Sequence, residues 1–240
     1  MESLYNIFRQ EGVLNIFCDA SLRHRGNKTD ICYGAIAVHV DDIIDSYCRI
    51  NSDCTSNFGE AKAMNAALYL AAKYRNTFPV INIFSDSMIT VKTLSEYFLN
   101  WSCKNGVIYN RENNLVSNQS PYIESIKIII DNNLRVGIFH VKGHVELTNF
   151  SQIKNATSVF SKINNIHRNI DYGFIRYICS YNNIIDNLTR SMIQRVDINS
   201  FNVVCPFKNM MSNNVLTKYM IGVETHEYND RTIVYKENLL

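Results

Sequence analysis

The chain has 240 residues, of which 46% are hydrophobic and 19% are charged, with three prolines and nine glycines. This composition is typical of a globular protein and excludes a disordered or collagen-like chain. The net charge is only +2, so the overall charge does not indicate a nucleic-acid partner. The seven cysteines contain no C-x-x-C pair, which disfavours a zinc ribbon. The first residues lack a secretory pattern, and the apolar stretch 126–141 is too short and polar for a membrane span. We therefore expect a reduced, cytoplasmic protein that has no membrane partner.

Hydrophobic periodicity predicts three strands followed by alternating helices and strands. The predicted strands cover residues 14–19, 31–38, 43–50, 80–84 and 135–141. The predicted helices cover residues 60–73, about 88–101, 121–132, 151–165 and 184–195, and the pattern at 221–234 indicates a hairpin. Three strands before the first helix favour an α/β fold, in which helices flank a mixed five-stranded sheet with an antiparallel beginning.

Four acidic residues stand at the ends of these predicted elements. Asp19 and Asp86 end two of the strands. Glu60 opens the first helix, and Asp186 lies near the start of the last one. Each residue alone is explained by turn formation or by the helix dipole. If the two strands are neighbours, the carboxylates meet at one sheet edge, where their repulsion calls for cations such as Mg²⁺ or Mn²⁺.

Several short motifs reinforce this interpretation because they follow one another in a particular order. They are Asp19-Ala20-Ser21, Tyr33-Gly34-Ala35-Ile36, the turn from Thr55 to Glu60, Asp86-Ser87 with Trp101 fifteen positions later, Val141-Lys142-Gly143-His144, and the segment from Asn182 to Arg190. In this order, over roughly residues 15–195, the chain resembles type 1 ribonuclease H, also called ribonuclease HI.

The resemblance implies a ribonuclease H-like fold and an endonuclease that hydrolyses the RNA strand of RNA–DNA hybrids, as in primer or R-loop removal. It implies two Mg²⁺ ions, with Mn²⁺ as a substitute, held by Asp19, Glu60, Asp86 and Asp186. His144 would complete the catalytic set by assisting proton transfer or product release. The residues that the resemblance assigns to substrate binding are Ser21, Thr55, Ser56, Asn57, Trp101 and Lys142.

The chain also departs from the family pattern. Ala20 replaces the usual glycine after the first aspartate, and Phe58 replaces an arginine that is common before the catalytic glutamate. The long interval between His144 and Asp186 predicts an insertion at about 146–181. Within it, aromatic residues interleaved with basic ones either contact nucleic acid or form the core of a small helical subdomain; they are Phe160, Tyr172, Phe174 and Tyr177.

We predict a catalytic domain at 1–195 and an extension at 196–240 that packs on the core or mediates self-association, so a monomer is expected and a homodimer stays open. Asp171 competes with Asp186 as the fourth acid but lacks its helical context.

Two other functions also stay open. One is another nuclease on the same fold, either a resolvase or an exonuclease, although Asp19-Ala-Ser21 lacks the exonuclease Asp-x-Glu pattern. The other is a nucleic-acid-binding module whose site is occluded by the insertion.

Overall fold

The sheet at the centre of the molecule has five strands in the order β3-β2-β1-β4-β7. This computed structural model describes residues 4–25, 28–39, 42–51, 54–105, 107–167 and 169–194. The strands are β1 (Val13–Arg25), β2 (Lys28–His39), β3 (Asp42–Asn51), β4 (Val80–Ser85) and β7 (Val136–His140), with a separate hairpin of β5 (Ser102–Lys104) and β6 (Val107–Tyr109). The helices are α1 (Leu4–Arg9), α2 (Ser56–Tyr74), α3 (Met88–Ser95), α4 (Gln119–Asp131), α5 (Phe150–Ile163) and α6 (Tyr172–Gln194), with a short 3₁₀ helix at Tyr97–Asn100.

The sheet is mixed, as the sequence predicts. Strand β1 pairs antiparallel with β2, which pairs antiparallel with β3. On its other side β1 pairs parallel with β4, and β4 pairs parallel with β7. The parallel pairing of β1 with β4 ends at Phe17 and Phe84, so the remainder of β1 extends beyond its neighbour. The predicted α/β fold with a mixed five-stranded sheet is therefore confirmed.

Two hydrophobic cores lie on opposite faces of this sheet, because successive side chains of a strand point to opposite sides. In β1, Leu14 and Ile16 belong to the first core, together with the alanine-rich face of α2. Phe17 belongs to the second core, with Phe84 and residues of α5 and α6. Small alanine side chains let α2 approach the sheet closely, whereas the second core is filled by large aromatic rings.

The segment predicted as an insertion is helical and contributes to the second core. Phe160 of α5 and Phe174 of α6 are fully buried there, so these two rings pack against the sheet and do not contact nucleic acid. Helix α6 begins at Tyr172, well before the predicted start at residue 184. The predicted hairpin at 221–234 and the extension at 196–240 lie outside the described residues.

A buried polar network joins α2 to α4. The carboxylate of Glu124 accepts hydrogen bonds from Lys62 Nζ at 2.9 Å, from Asn65 Nδ2 at 2.9 Å and from Tyr69 Oη at 3.0 Å. These three donors lie on one face of α2, and the side chain of Lys62 is only 4% exposed. Because a buried charge is tolerated only when paired, this network fixes how α2 is rotated against α4.

In the part of the chain that the structure describes, none of the helices combines the length and the apolar character needed to cross a membrane.

Candidate active site

Two of the predicted acids come from the neighbouring strands β1 and β4. Asp86 directly follows β4, as predicted. Asp19 does not end its strand: it lies inside β1, opposite Gly34 of β2. The carboxyl end of β4 nevertheless lies beside it, because the parallel pairing stops just before Asp19. The strand prediction ended too early because the following Ala20 and Ser21 are polar or small and do not continue the apolar run.

Glu60 reaches the same place from α2. Thr55 caps this helix, its Oγ1 accepting a hydrogen bond from the Phe58 backbone N–H at 3.3 Å. The helix thus begins at Ser56, and Glu60 lies in its second turn instead of opening it. Gly59 makes the close approach possible, since a Cβ there would lie only 3.1 Å from the Cβ of Ala20.

Asp19, Glu60 and Asp86 form a compact cluster of carboxylates. One oxygen from each residue lies within 4.8 Å of the others. Burial, followed by the charge of Asp86, raises the pKa of Asp19 to about 7. Burial, followed by the charges of Asp19 and Asp86, raises the pKa of Glu60 well above its ordinary value. The cluster therefore holds more negative charge than its surroundings balance.

Asp186 lines the same pocket but does not join this cluster. Its Oδ1 pairs with Arg190 Nε at 2.7 Å, and its Oδ2 lies 3.4 Å from His144 Nδ1. Arg190 Nη2 also lies 3.3 Å from His144 Nε2. His144 has a left-handed backbone (φ 54°), and its side chain is 63% exposed at the pocket mouth. The fourth acid is therefore already paired with a cation of the protein.

The pocket has a volume of about 690 Å³ and gathers seven of the predicted site residues. They are Asp19, Ser21, Ser56, Glu60, Asp86, His144 and Asp186. The other four predicted residues do not line it. Thr55 and Asn57 are exposed at the start of α2, Trp101 packs on the first core, and Lys142 Nζ donates a hydrogen bond to Asn155 on α5 at 3.0 Å.

Sequence reasoning missed the residues of α6 that hold these carboxylates. Thr189 Oγ1 donates a hydrogen bond to Asp19 Oδ2 at 3.0 Å, and Asn182 Nδ2 donates one to Asp86 Oδ2 at 3.1 Å. Together with Arg190, these residues stand three or four positions from Asp186, the spacing that places side chains on one helix face. That spacing could have identified them, but the predicted helix began too late to include Asn182.

The donor set fits a divalent cation. Within the described part of the chain, Glu60 Oε2 is buried without a hydrogen-bond partner, which is unfavourable for a carboxylate oxygen unless a cation or a proton neutralises it. Three hard oxygen ligands that repel one another match the preference of Mg²⁺ and Mn²⁺.

A model of the ribonuclease H family matches residues 11–157, which is more than half of the chain. The chain belongs to the ribonuclease H family. The resemblance noted from the motifs is thereby confirmed, and the protein is a hydrolase of the ribonuclease H class. The matched region contains Asp19, Glu60, Asp86 and His144 but ends before Asp186. Among curated proteins, none matches the chain.

Solved structures of ribonucleases H resemble this fold. A ribonuclease H1 from the archaeon Halobacterium salinarum is 21% identical with a TM-score of 0.39, over 54% of this chain and 86% of that one. LC11 ribonuclease H1, solved with an RNA/DNA hybrid, is 14% identical with a TM-score of 0.41, over 62% and 97%. A foamy viral protease-reverse transcriptase, also solved with a hybrid, is 16% identical with a TM-score of 0.44, over 63% and 20%. At these identities the likeness concerns the fold alone.

Proposed function

We propose that this protein is an endonuclease that hydrolyses the RNA strand of RNA–DNA hybrids, with products that carry a 5′-phosphate. Primer or R-loop removal is the corresponding cellular role. The observation that carries the proposal is the cluster of Asp19, Glu60 and Asp86 in a chain of the ribonuclease H family.

In this proposal, Asp19, Glu60 and Asp86 hold two Mg²⁺ ions together with Asp186, and Mn²⁺ is a substitute. When bound, such cations supply the Lewis acidity that activates a water molecule and stabilises charge on the leaving 3′ oxygen. The three clustered carboxylates must be ionised for this purpose, so Asp19 and Glu60, whose pKa values are raised, release their protons as the cations bind.

His144 moves protons at the pocket mouth. The imidazole is exposed to solvent and adjacent to Asp186, so it can pass a proton between the pocket and water. Its left-handed backbone directs the ring toward α6, where Asp186 and Arg190 contact both ring nitrogens. Release of either contact frees a nitrogen for proton transfer.

The hybrid is recognised along the start of α2. Ser56 lines the pocket and Asn57 is exposed beside it, so both can reach the minor groove, where 2′-hydroxyls distinguish RNA from DNA. Thr55 holds a phosphate of the DNA strand. Ser21 hydrogen-bonds to Thr189 at 3.1 Å inside the pocket and orients the substrate there. Trp101 and Lys142 lie outside the pocket and contact more distant parts of the duplex.

The test is cleavage of an end-labelled RNA–DNA hybrid with Mg²⁺, beside double-stranded RNA, double-stranded DNA and single strands. We expect internal cuts in the RNA of the hybrid, lost with EDTA and reduced on the order of a thousandfold by Asp86→Asn. Asp131→Asn, the same change at an exposed position at the end of α4, is the matched control and should cleave normally. Cutting of DNA would assign a resolvase-like activity instead. Cleavage that survives in Asp86→Asn, or hybrid binding without any cleavage, would contradict the proposal.

A further inference from the structure

Asn182 is a fully buried polar residue of α6 in contact with the carboxylate cluster. Its Nδ2 donates a hydrogen bond to Asp86 Oδ2 at 3.1 Å, and its buried Oδ1 has no hydrogen-bond partner among the residues that the structure describes. The chemistry fixes which amide atom faces Asp86, because a carboxylate oxygen accepts hydrogen bonds and repels another oxygen.

We propose that Asn182 is a positioning residue that fixes the orientation of the Asp86 carboxylate for divalent cation binding. This inference rests on the proposed function, since it assigns the cation to the cluster that contains Asp86. Residues that orient the ligands of a metal commonly control its affinity without touching it.

Stability does not explain this amide. A buried carbonyl oxygen that lacks a hydrogen bond destabilises the folded state, and an apolar side chain of similar size would avoid that cost. A buried asparagine in this position therefore points to a role in holding Asp86, which leucine could not perform.

Asp86 is held from two further directions. A Cβ on Gly143 would clash with Asp86 Oδ2, so the loop after β7 closes tightly over the carboxylate. His140 Nε2 lies 3.2 Å from the backbone oxygen of Asp86. Asn182 completes this support from the side of α6, so the carboxylate has little freedom to rotate away from the cluster.

The neutral amide suits this task better than a cation would. Arg190 pairs with Asp186 through a full positive charge, which competes with any metal for that carboxylate. Asn182 orients Asp86 through a hydrogen bond and leaves its negative charge available. The amide therefore fixes geometry without lowering the attraction for a divalent cation.

The test is calorimetric titration of the full chain with Mg²⁺ alone, comparing the parent protein with Asn182→Leu. We expect Mg²⁺ affinity to fall roughly 10- to 100-fold, while the midpoint of urea unfolding in EDTA is unchanged or higher. Cleavage of the hybrid should recover when the Mg²⁺ concentration is raised by the same factor, with an unchanged KM for the hybrid. A merely structural role would lower the unfolding midpoint and leave the Mg²⁺ affinity unchanged.

Asn183→Ala is the matched control. Its amide lies on the same helix and donates a hydrogen bond to the backbone oxygen of Val145 at 2.9 Å, so its loss should change Mg²⁺ affinity less than about twofold. If Asn182→Leu does not fold, Asn182→Ala removes the same donor by truncation, and the same loss of Mg²⁺ affinity is expected. Unchanged Mg²⁺ affinity in the Asn182 variants, or an equal loss in the control, would overturn the inference. Cleavage that survives in Asp86→Asn would instead overturn the proposed function.

Discussion

Two groups of charged residues share one pocket, and the negative charge of their carboxylates is neutralised in different ways. Asp19, Glu60 and Asp86 stand within 4.8 Å of one another, and burial with mutual repulsion raises the pKa values of the first two. Asp186 lies nearby, but Arg190 and His144 contact both of its oxygens. The first group depends on protons or on an external cation, whereas the second carries its own positive partner.

This difference indicates how much each carboxylate contributes to cation binding. A cluster whose charge is unbalanced attracts divalent cations strongly, and burial strengthens that attraction. A carboxylate that is already paired can be recruited only by exchange, since its arginine must move or share the charge. Asp186 is therefore expected to contribute less to cation affinity than any member of the cluster.

The largest expected effect concerns the pH dependence of stability without metal. The pKa of Asp19 is raised from 3.8 to about 7, so between these values the folded protein keeps a proton that the unfolded chain releases. Stability in EDTA should therefore decrease as pH rises through this window, by about 4 kcal/mol. Urea unfolding at several pH values measures this slope, and Asp19→Asn should flatten most of it.

Asp131→Asn is again the control and should retain the slope. Glu60 adds to the same trend, because its pKa is also raised. Saturating Mg²⁺ should remove the decrease at neutral pH, since the cation replaces the protons. If the stability of the metal-free protein instead increased from acid to neutral pH, repulsion among the ionised carboxylates would not destabilise the folded state.

A smaller effect is expected from Gly143→Ala on the loop that joins the two groups. The added methyl group would clash with Asp86 Oδ2 and displace that carboxylate from the cluster. We expect Mg²⁺ affinity and hybrid cleavage to fall roughly 10- to 100-fold. Gly173→Ala is the control. A Cβ there would meet Asp171 Oδ1 at 3.1 Å, and Gly173 does not line the pocket. Normal metal binding by Gly143→Ala would refute the close approach described here.

The smallest effect is expected from Arg190→Ala, which removes the partner of Asp186. The pair is half exposed on the arginine side, so its loss should tighten Mg²⁺ binding by only about threefold. Titration calorimetry measures whether Arg190→Ala binds Mg²⁺ more tightly or more weakly than the parent protein. Weaker binding in Arg190→Ala, with recovery in Arg190→Lys, would mean that the arginine orients Asp186 for the cation and does not compete with it.

The core of the fold was predictable because its signals are local. The alanine-rich run of α2 and the apolar run of β4 are each continuous in the sequence, and both elements form close to the predicted bounds. Helix α6 was harder, because Tyr172 to Tyr181 mixes aromatic and polar residues, although Asp171 caps the helix by accepting a hydrogen bond from the Phe174 backbone N–H at 2.7 Å. Burial of Phe174 against the sheet, a tertiary effect, also contributes to where the helix begins.

The candidate site was predictable in its residue types but not in its pairings. The motifs pointed to the four acids and His144, which the structure places around one pocket, and the adjacency of β1 and β4 brings Asp19 close to Asp86. The arginine partner of Asp186 and the amide partner of Asp86 depend on the rotation of α6 about its axis. Helical spacing places these residues on the face of Asp186, but which carboxylate each one contacts depends on how α6 packs in the second core.

The network around Glu124 has a consequence for how mutations would spread through this protein. Glu124 belongs to α4 and is not among the residues that line the pocket, yet its carboxylate anchors three side chains of the helix that carries Glu60. Its removal would take a shared acceptor from Lys62, Asn65 and Tyr69 at once, so the packing of α2 against α4 would loosen. In a survey of random variants, substitution of Glu124 would therefore reduce activity as substitution of an active-site residue does, although Glu124 touches no substrate.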